Sequence, residues 1–168
     1  MAGLFLFKED AMCRFKSAII TRTEVLHDLD SDSHEELITK YKLNDRTITP
    51  DFVRVEMTPV DDDIFNHARG NWLLKIDQDL RPDWFDEAEA AEAMWRCLEQ
   101  TFSERFVMSG KCEITKGRWY VGGTATIEYV GGTATIEDVG GTATIKDVRG
   151  SATIKYVRGF ATIGVYAK

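Results

Sequence analysis

The sequence predicts an α+β N-terminal domain, a small β-sheet with one long helix, followed by an all-β repeat region that forms a short β-solenoid with about 18 residues per turn. Three observations lead there. Apolar residues alternate in several short segments of the first eighty residues, a single 3.6-residue apolar stripe runs through residues 82–102, and a nine-residue beat governs everything after Val121. The division falls near residue 110, with an acidic α+β domain over 1–110 and a nonapeptide-repeat β-solenoid over 111–168. Charge marks the same division. The chain carries −7 overall, with 13 Lys and Arg against 23 Asp and Glu before residue 111 and 8 against 5 after it.

In chain order, "GLFLFKE" and "RFKSAIITR" read as strands, the second with Phe15, Ser17 and Ile19 on one face and Arg14, Lys16 and Ala18 on the other. "TEVLHDL" adds a further strand. Ser33 followed by Glu36 is a capping-box pattern that opens a short helix whose apolar side is Leu37, Ile38 and Tyr41. "DFVRVEMTP" sets Val53, Val55 and Met57 on one face, and "NWLLKIDQ" does the same with Trp72, Leu74 and Ile76. Between these two strands lies the acidic loop "VDDDIFNHARG", expected to be exposed. The long helix is marked at its start by Pro82 and Asp83, has Glu87 and Glu89 in its first turns, and carries the stripe Ala91, Trp95, Leu98 and Phe102 with a Glu92–Arg96 pair on its outer side.

In the repeat, Val121, Gly123, Ala125 and Ile127 recur four more times at nine-residue intervals. The unit V-x-G-x-A-x-I-x-x reads as a strand with a small-residue apolar face, closed by a two-residue corner after Ile, such as Glu137-Asp138. Two folds satisfy this beat. One is a solenoid in which two repeats make one flattened turn; the other is an antiparallel β-meander with Gly-Gly or Arg-Gly hairpin turns. Charge favours the solenoid. An eighteen-residue turn stacks Glu128 on Lys146 and Glu137 on Lys155, whereas the meander sets acid beside acid and base beside base.

No catalytic constellation emerges from the residue spacings. Asp28, Asp30 and Asp32 imitate the start of a calcium loop, but its sixth and twelfth positions hold Ser33 and Thr39. His27, His34 and His67 have no zinc spacing, and there is no nucleophile elbow, P-loop or dinucleotide fingerprint. The repeats lack the aspartates of calcium-binding nonapeptides, and their threonine ladders are too short for an ice-binding face. Cys13, Cys97 and Cys112 are odd in number and show no CxxC, which fits small core residues in a reducing cytoplasm rather than a disulfide frame. No cofactor, metal or membrane segment is expected, and the chain is not expected to be an enzyme.

What remains is surface. Lys146, Arg149, Lys155 and Arg158 make the last repeats basic, and Asp61, Asp62 and Asp63 make the front loop acidic; these are the candidate binding residues. Phe160, Val165 and Tyr166 lie at the end of the array, where an uncapped coil invites pairing with a second chain, so they are the candidate oligomer interface of a homodimer. A protein partner is expected. Nucleic acid is less favoured, because no aromatic residues interleave the basic ones.

The array, with units such as "ATIED" and "ATIKY", resembles tandem GxATVxxV-type repeats in proteins of gut bacteria and their mobile elements, and more loosely the pentapeptide-repeat proteins. The segments "SHEELI", "DFVRVEMTP" and "IDQDLRPDWF" are similar to the α+β region that precedes such arrays. The resemblance implies no activity. The beat here is nine residues, not five, so pentapeptide-type DNA mimicry does not carry over. The functional expectation is a non-enzymatic, macromolecule-binding protein, an anti-CRISPR-like phage or mobile-element inhibitor of a host nuclease that acts by surface blocking. The alternative is a structural protein that self-assembles through its solenoid ends.

Overall fold

The computed structural model describes residues 15–45 and 51–164. An α+β unit is followed by a parallel β-solenoid, as the beat and the stripe predicted. The expected strand "GLFLFKE" lies outside the described residues, as do Val165 and Tyr166.

Four antiparallel strands form the front sheet: β1 (Lys16–Thr21), β2 (Val25–Leu26), β3 (Phe52–Pro59) and β4 (Trp72–Ile76), in the order β2-β1-β3-β4. Helix α1 (His34–Tyr41) covers one face and α2 (Glu87–Arg105) the other. Alternation therefore sends residues into two cores. Ala18, Ile20, Val53, Val55 and Met57 meet Ala90, Met94 and Leu98 of α2, while Ile19 and Phe52 meet Leu37 of α1. Phe15 departs from the expected pattern. It precedes β1, joins the α2-side core against Trp72 and Tyr120, and shares no face with Ile19.

The helix ends are set by side chains. Ser33 caps α1 by accepting from the Glu36 amide at 3.3 Å, but the Glu36 carboxylate turns to Ser31, so the box closes on one side only. α2 starts at Glu87, later than Pro82-Asp83 suggests, because the Asp86 carboxylate accepts from the Glu89 amide at 2.9 Å. Its buried line is Ala90, Met94, Leu98 and Thr101. Trp95 and Phe102 flank it, and Glu92 pairs with Arg69 across the surface rather than with Arg96 along the helix.

α2 runs directly into the solenoid, whose eight strands are β5 (Phe106–Val107), β6 (Lys111–Ile114), β7 (Arg118–Val121), β8 (Thr126–Val130), β9 (Thr135–Val139), β10 (Thr144–Ile145), β11 (Thr153–Val157) and β12 (Thr162–Ile163). They form two parallel sheets, β11-β9-β7-β5 and β12-β10-β8-β6. Through the repeats each residue pairs with the one eighteen positions away, as in Ile154 with Ile136 and Ile145 with Ile127. Parallel pairing excludes the meander.

The coil's corner differs from the expected one. The strand is Thr-Ile-x-x-Val, and the sharp turn falls at Gly-Thr, where Gly123, Gly132, Gly141, Gly150 and Gly159 all have positive φ. The turns thus sit where the meander wanted them, while the pairing is that of the solenoid. The repeat glycine belongs to the corner and not to the inward face. Val, Ala and Ile fill the interior, with Ile127, Ile136 and Ile145 fully buried, each worth about 1.5–3 kcal/mol of apolar burial.

Candidate functional site

The two parts are joined by an ionic seam built from residues that read as a calcium loop in the sequence. Arg118, at the start of β7, donates to Asp32 and lies 3.0 Å from the Glu137 carboxylate of β9; its backbone amide donates to Asp30 at 2.9 Å. Lys16 of β1 sits 3.6 Å from Asp32 and donates to the Asp28 carbonyl, and Lys155 of β11 closes the row on Glu137 at 2.8 Å. Burial pushes the Asp32 carboxyl up and the Lys16 ammonium down; the Arg118 guanidinium pulls Asp32 back, and Asp32 does the same for Lys16. These acids hold loop and coil together, so the aspartate spacing reports docking rather than metal ligation.

A second joint explains a change within the repeat. The position before the turn glycine is Gly122, Gly131 and Gly140, then Arg149 and Arg158. A Cβ at Gly122 or Gly140 would lie 2.5–2.6 Å from the Phe65 ring, and one at Gly131 would lie 2.0 Å from the Tyr129 hydroxyl. The loop "VDDDIFNHARG" therefore lays an aromatic ring over one column of the solenoid. Where that column continues past the ring it becomes Arg158, which reaches Asp138.

The same loop places the three acidic candidates. Asp61, Asp62 and Asp63 are exposed, while Ile64 behind them is buried. The Asp61 carboxylate accepts from the Asp63 amide and that of Asp63 from the Phe65 amide, each at 3.0 Å, so these carboxylates shape the turn that presents Phe65. The basic candidates are likewise engaged. Lys146 meets Glu128 at 2.9 Å and Lys155 meets Glu137, the two stacks foreseen from an eighteen-residue turn; Arg149 meets Asp147 at 2.7 Å and Arg158 meets Asp138. The structure does not gather the acidic and basic sets into one site.

The last coil is different. Among the described residues, β11 and β12 have neighbours on one side only. Burial collapses there: Tyr156 is 54%, Val157 51% and Phe160 88% exposed, whereas the equivalent Val139 and Val121 are fully buried. An open strand edge and an apolar rim thus coincide at one end of the stack. Phe160 was visible in the sequence as a candidate interface residue at the end of the array. Tyr156 and Val157 were not, because they are ordinary repeat residues made exceptional by being last.

Elsewhere, Cys97 and Cys112 are free thiols, both pushed up by burial. No helix among the described residues is long and apolar enough to cross a membrane. One group of side chains, His34, Glu56 and Asp77, brings three ligand atoms within 4.8 Å of one another. They come from α1, β3 and the residue after β4, and no spacing in the sequence links them.

Neither the family models nor the curated proteins nor the solved structures contain a match to this chain.

Proposed function

We propose that the protein works by binding another protein, without chemistry of its own, and that the bare coil of β11 and β12 is the docking edge. One observation carries this reading: the strand edge left unpaired among the described residues coincides with the exposed Tyr156, Val157 and Phe160. A partner strand laid along that edge satisfies its backbone donors and acceptors, and the apolar rim adds burial. Within this class, an anti-CRISPR-like inhibitor from a phage or mobile element, blocking a host nuclease, is the narrower proposal. Its support is the net charge of −7 on a rigid stack, a surface able to compete for a basic cleft.

A second reading has its own support. The partner at the edge is another copy of the chain, which makes a homodimer. At the opposite end of the stack, β5 and β7 are packed into the front domain through Phe106 and Tyr120. Pairing of the β11–β12 edge with the same edge of a second copy is isologous and closes at two chains.

The test is a pull-down with mass spectrometry from a bacterial lysate, run beside light scattering, on the wild type and a Val157→Lys/Phe160→Lys variant. A specific protein captured by the wild type and lost in the variant supports docking at the edge. A concentration-dependent dimer lost in the variant supports self-pairing. A monomer that captures nothing, or capture unaffected by the variant, overturns both.

A further inference from the structure

We propose that His34, Glu56 and Asp77 form a site for a divalent first-row transition ion of the zinc class, on the face of the front sheet covered by α1. The argument starts at the imidazole. His34 Nε2 lies 3.1 Å from the Val55 carbonyl. A carbonyl only accepts, so Nε2 carries a hydrogen, and in the neutral ring Nδ1 is left with its lone pair outward. Nδ1 in turn lies 3.2 Å from an Asp77 carboxylate oxygen. Two acceptors at hydrogen-bond distance repel unless a positive species joins them. A ring whose far nitrogen is tied to a backbone carbonyl is also the usual arrangement of a metal-bound histidine.

The third group sharpens the choice of positive species. Glu56 is 6% exposed, and its carboxylate oxygen falls within 4.8 Å of the other two ligand atoms. A proton on Nδ1 serves one carboxylate, whereas a divalent ion serves both and the nitrogen as well. Lys75, opposite Glu56 in the β3–β4 register, is exposed and forms no ion pair with it. Bonds of about 2.0–2.1 Å set tetrahedral ligands about 3.3 Å apart, which the 3.2 Å between His34 and Asp77 matches; Glu56, within 4.8 Å, has to swing its carboxylate inward to complete the set.

An independent observation points into the same place. Ser17 is fully buried, and its hydroxyl has no hydrogen-bond partner among the described residues. It is the Cα partner of Glu56 across β1 and β3, and residues directly opposite one another in an antiparallel pair share a face with Cβ atoms about 4.5–5.5 Å apart. An orphaned hydroxyl beside a buried carboxylate is the polar lining expected where an ion and its water ligand sit. Asp77, its side chain 52% exposed, leaves the site open on one side for entry and for an exchangeable fourth ligand.

The experiment uses the full chain, stripped with chelator and titrated with zinc chloride and, separately, cobalt(II) chloride. One zinc per chain, a rise in Tm of several degrees at saturation, and a visible cobalt spectrum without thiolate charge transfer are expected. Asp77→Asn removes an exposed ligand that the fold does not need, and Glu56→Gln removes the buried one. Each is expected to weaken zinc binding at least ~10-fold while leaving the far-ultraviolet circular dichroism unchanged. No zinc-dependent shift, equal binding by wild type and Asp77→Asn, or a thiolate band that assigns the metal to cysteine would each overturn the site.

Discussion

Replacing Gly132 by alanine tests the coil geometry most sharply, because the structure supplies its own control. Gly132 turns the corner at φ 57°, and a Cβ there would stand 2.3 Å from the Thr115 carbonyl oxygen of the coil beneath. Gly150 occupies the same place one coil further on, at φ 70°, yet its Cβ would meet nothing closer than 3.6 Å. The left-handed backbone costs any L-residue about 1–2 kcal/mol, so both substitutions carry that strain. Only at Gly132 is there also a collision, and with rigid backbone rather than with a movable side chain. Relief requires the coils to part, which weakens the bond from the Thr133 amide to the Thr115 carbonyl, now 3.1 Å. Overpacking of this kind adds about 1–3 kcal/mol and a disrupted hydrogen bond about 1 more. Gly132→Ala is therefore expected to cost about 3–6 kcal/mol and Gly150→Ala about 1–2. Urea unfolding of both variants, followed by circular dichroism, measures the difference. Equal losses would refute the reasoning, since they would mean that strain at φ is the whole effect and that the coils are not in the contact described.

Other variants probe the joints. Arg118→Met leaves Asp32 and Glu137 without their shared cation and is expected to destabilise by about 3 kcal/mol in urea unfolding; adding Asp32→Asn should recover part of the loss, and strictly additive losses would count against the seam. His67 stacks on Phe102 at 3.8 Å, and burial, outweighing the pull of Asp63, holds its imidazole below the ordinary value of 6.5. The unfolded chain then binds the proton more readily, so this contribution to stability is complete above pH 6.5 and is lost as pH falls through the interval down to the folded value; His67→Phe should flatten the decline just below pH 6.5, and an unchanged slope would refute the assignment. Lys146→Glu reverses an exposed stacked pair and should leave the urea midpoint almost unchanged, a clear drop in the same assay indicating that the pair does more than decorate the coil.

The repeat was the most legible part of the sequence because one physical rule, an inward row of Val, Ala and Ile, is stated five times. Opposite charges eighteen residues apart then separated the solenoid from the meander, and the Lys146–Glu128 and Lys155–Glu137 pairs are the expected ones. The corner was misplaced because Gly123 and its equivalents satisfy two readings at once. As small residues they suit an interior; as residues tolerant of positive φ they suit a turn, and periodicity alone does not distinguish the two. On α2 the stripe was rotated toward Trp95 and Phe102, since large aromatics dominate a sequence pattern while burial follows the line of closest approach, through Ala90, Met94 and Leu98.

The long-range groupings were beyond reach for a different reason. Asp28, Asp30 and Asp32 look like ligands when read against one another; Asp30 and Asp32 become docking residues only when Arg118, eighty-six positions beyond Asp32, is brought alongside, while the Asp28 carboxylate pairs with Lys40 inside the front domain. His34, Glu56 and Asp77 are the reverse case, unremarkable in isolation and convergent in space. The same logic explains how Gly gives way to Arg in one column of the repeat. Phe65 lies over Gly122 and Gly140 but belongs to a loop more than fifty residues earlier, so the repeat itself offers no reason for the change to Arg158. That column records where the front domain touches the coil, with small residues under Phe65 and a long charged one beyond it; in the other column Gly131 lies against Tyr129 of the repeat itself. The exposed rim of Tyr156, Val157 and Phe160 has no such cover among the described residues, which is why the proposed contact from outside the chain is placed there.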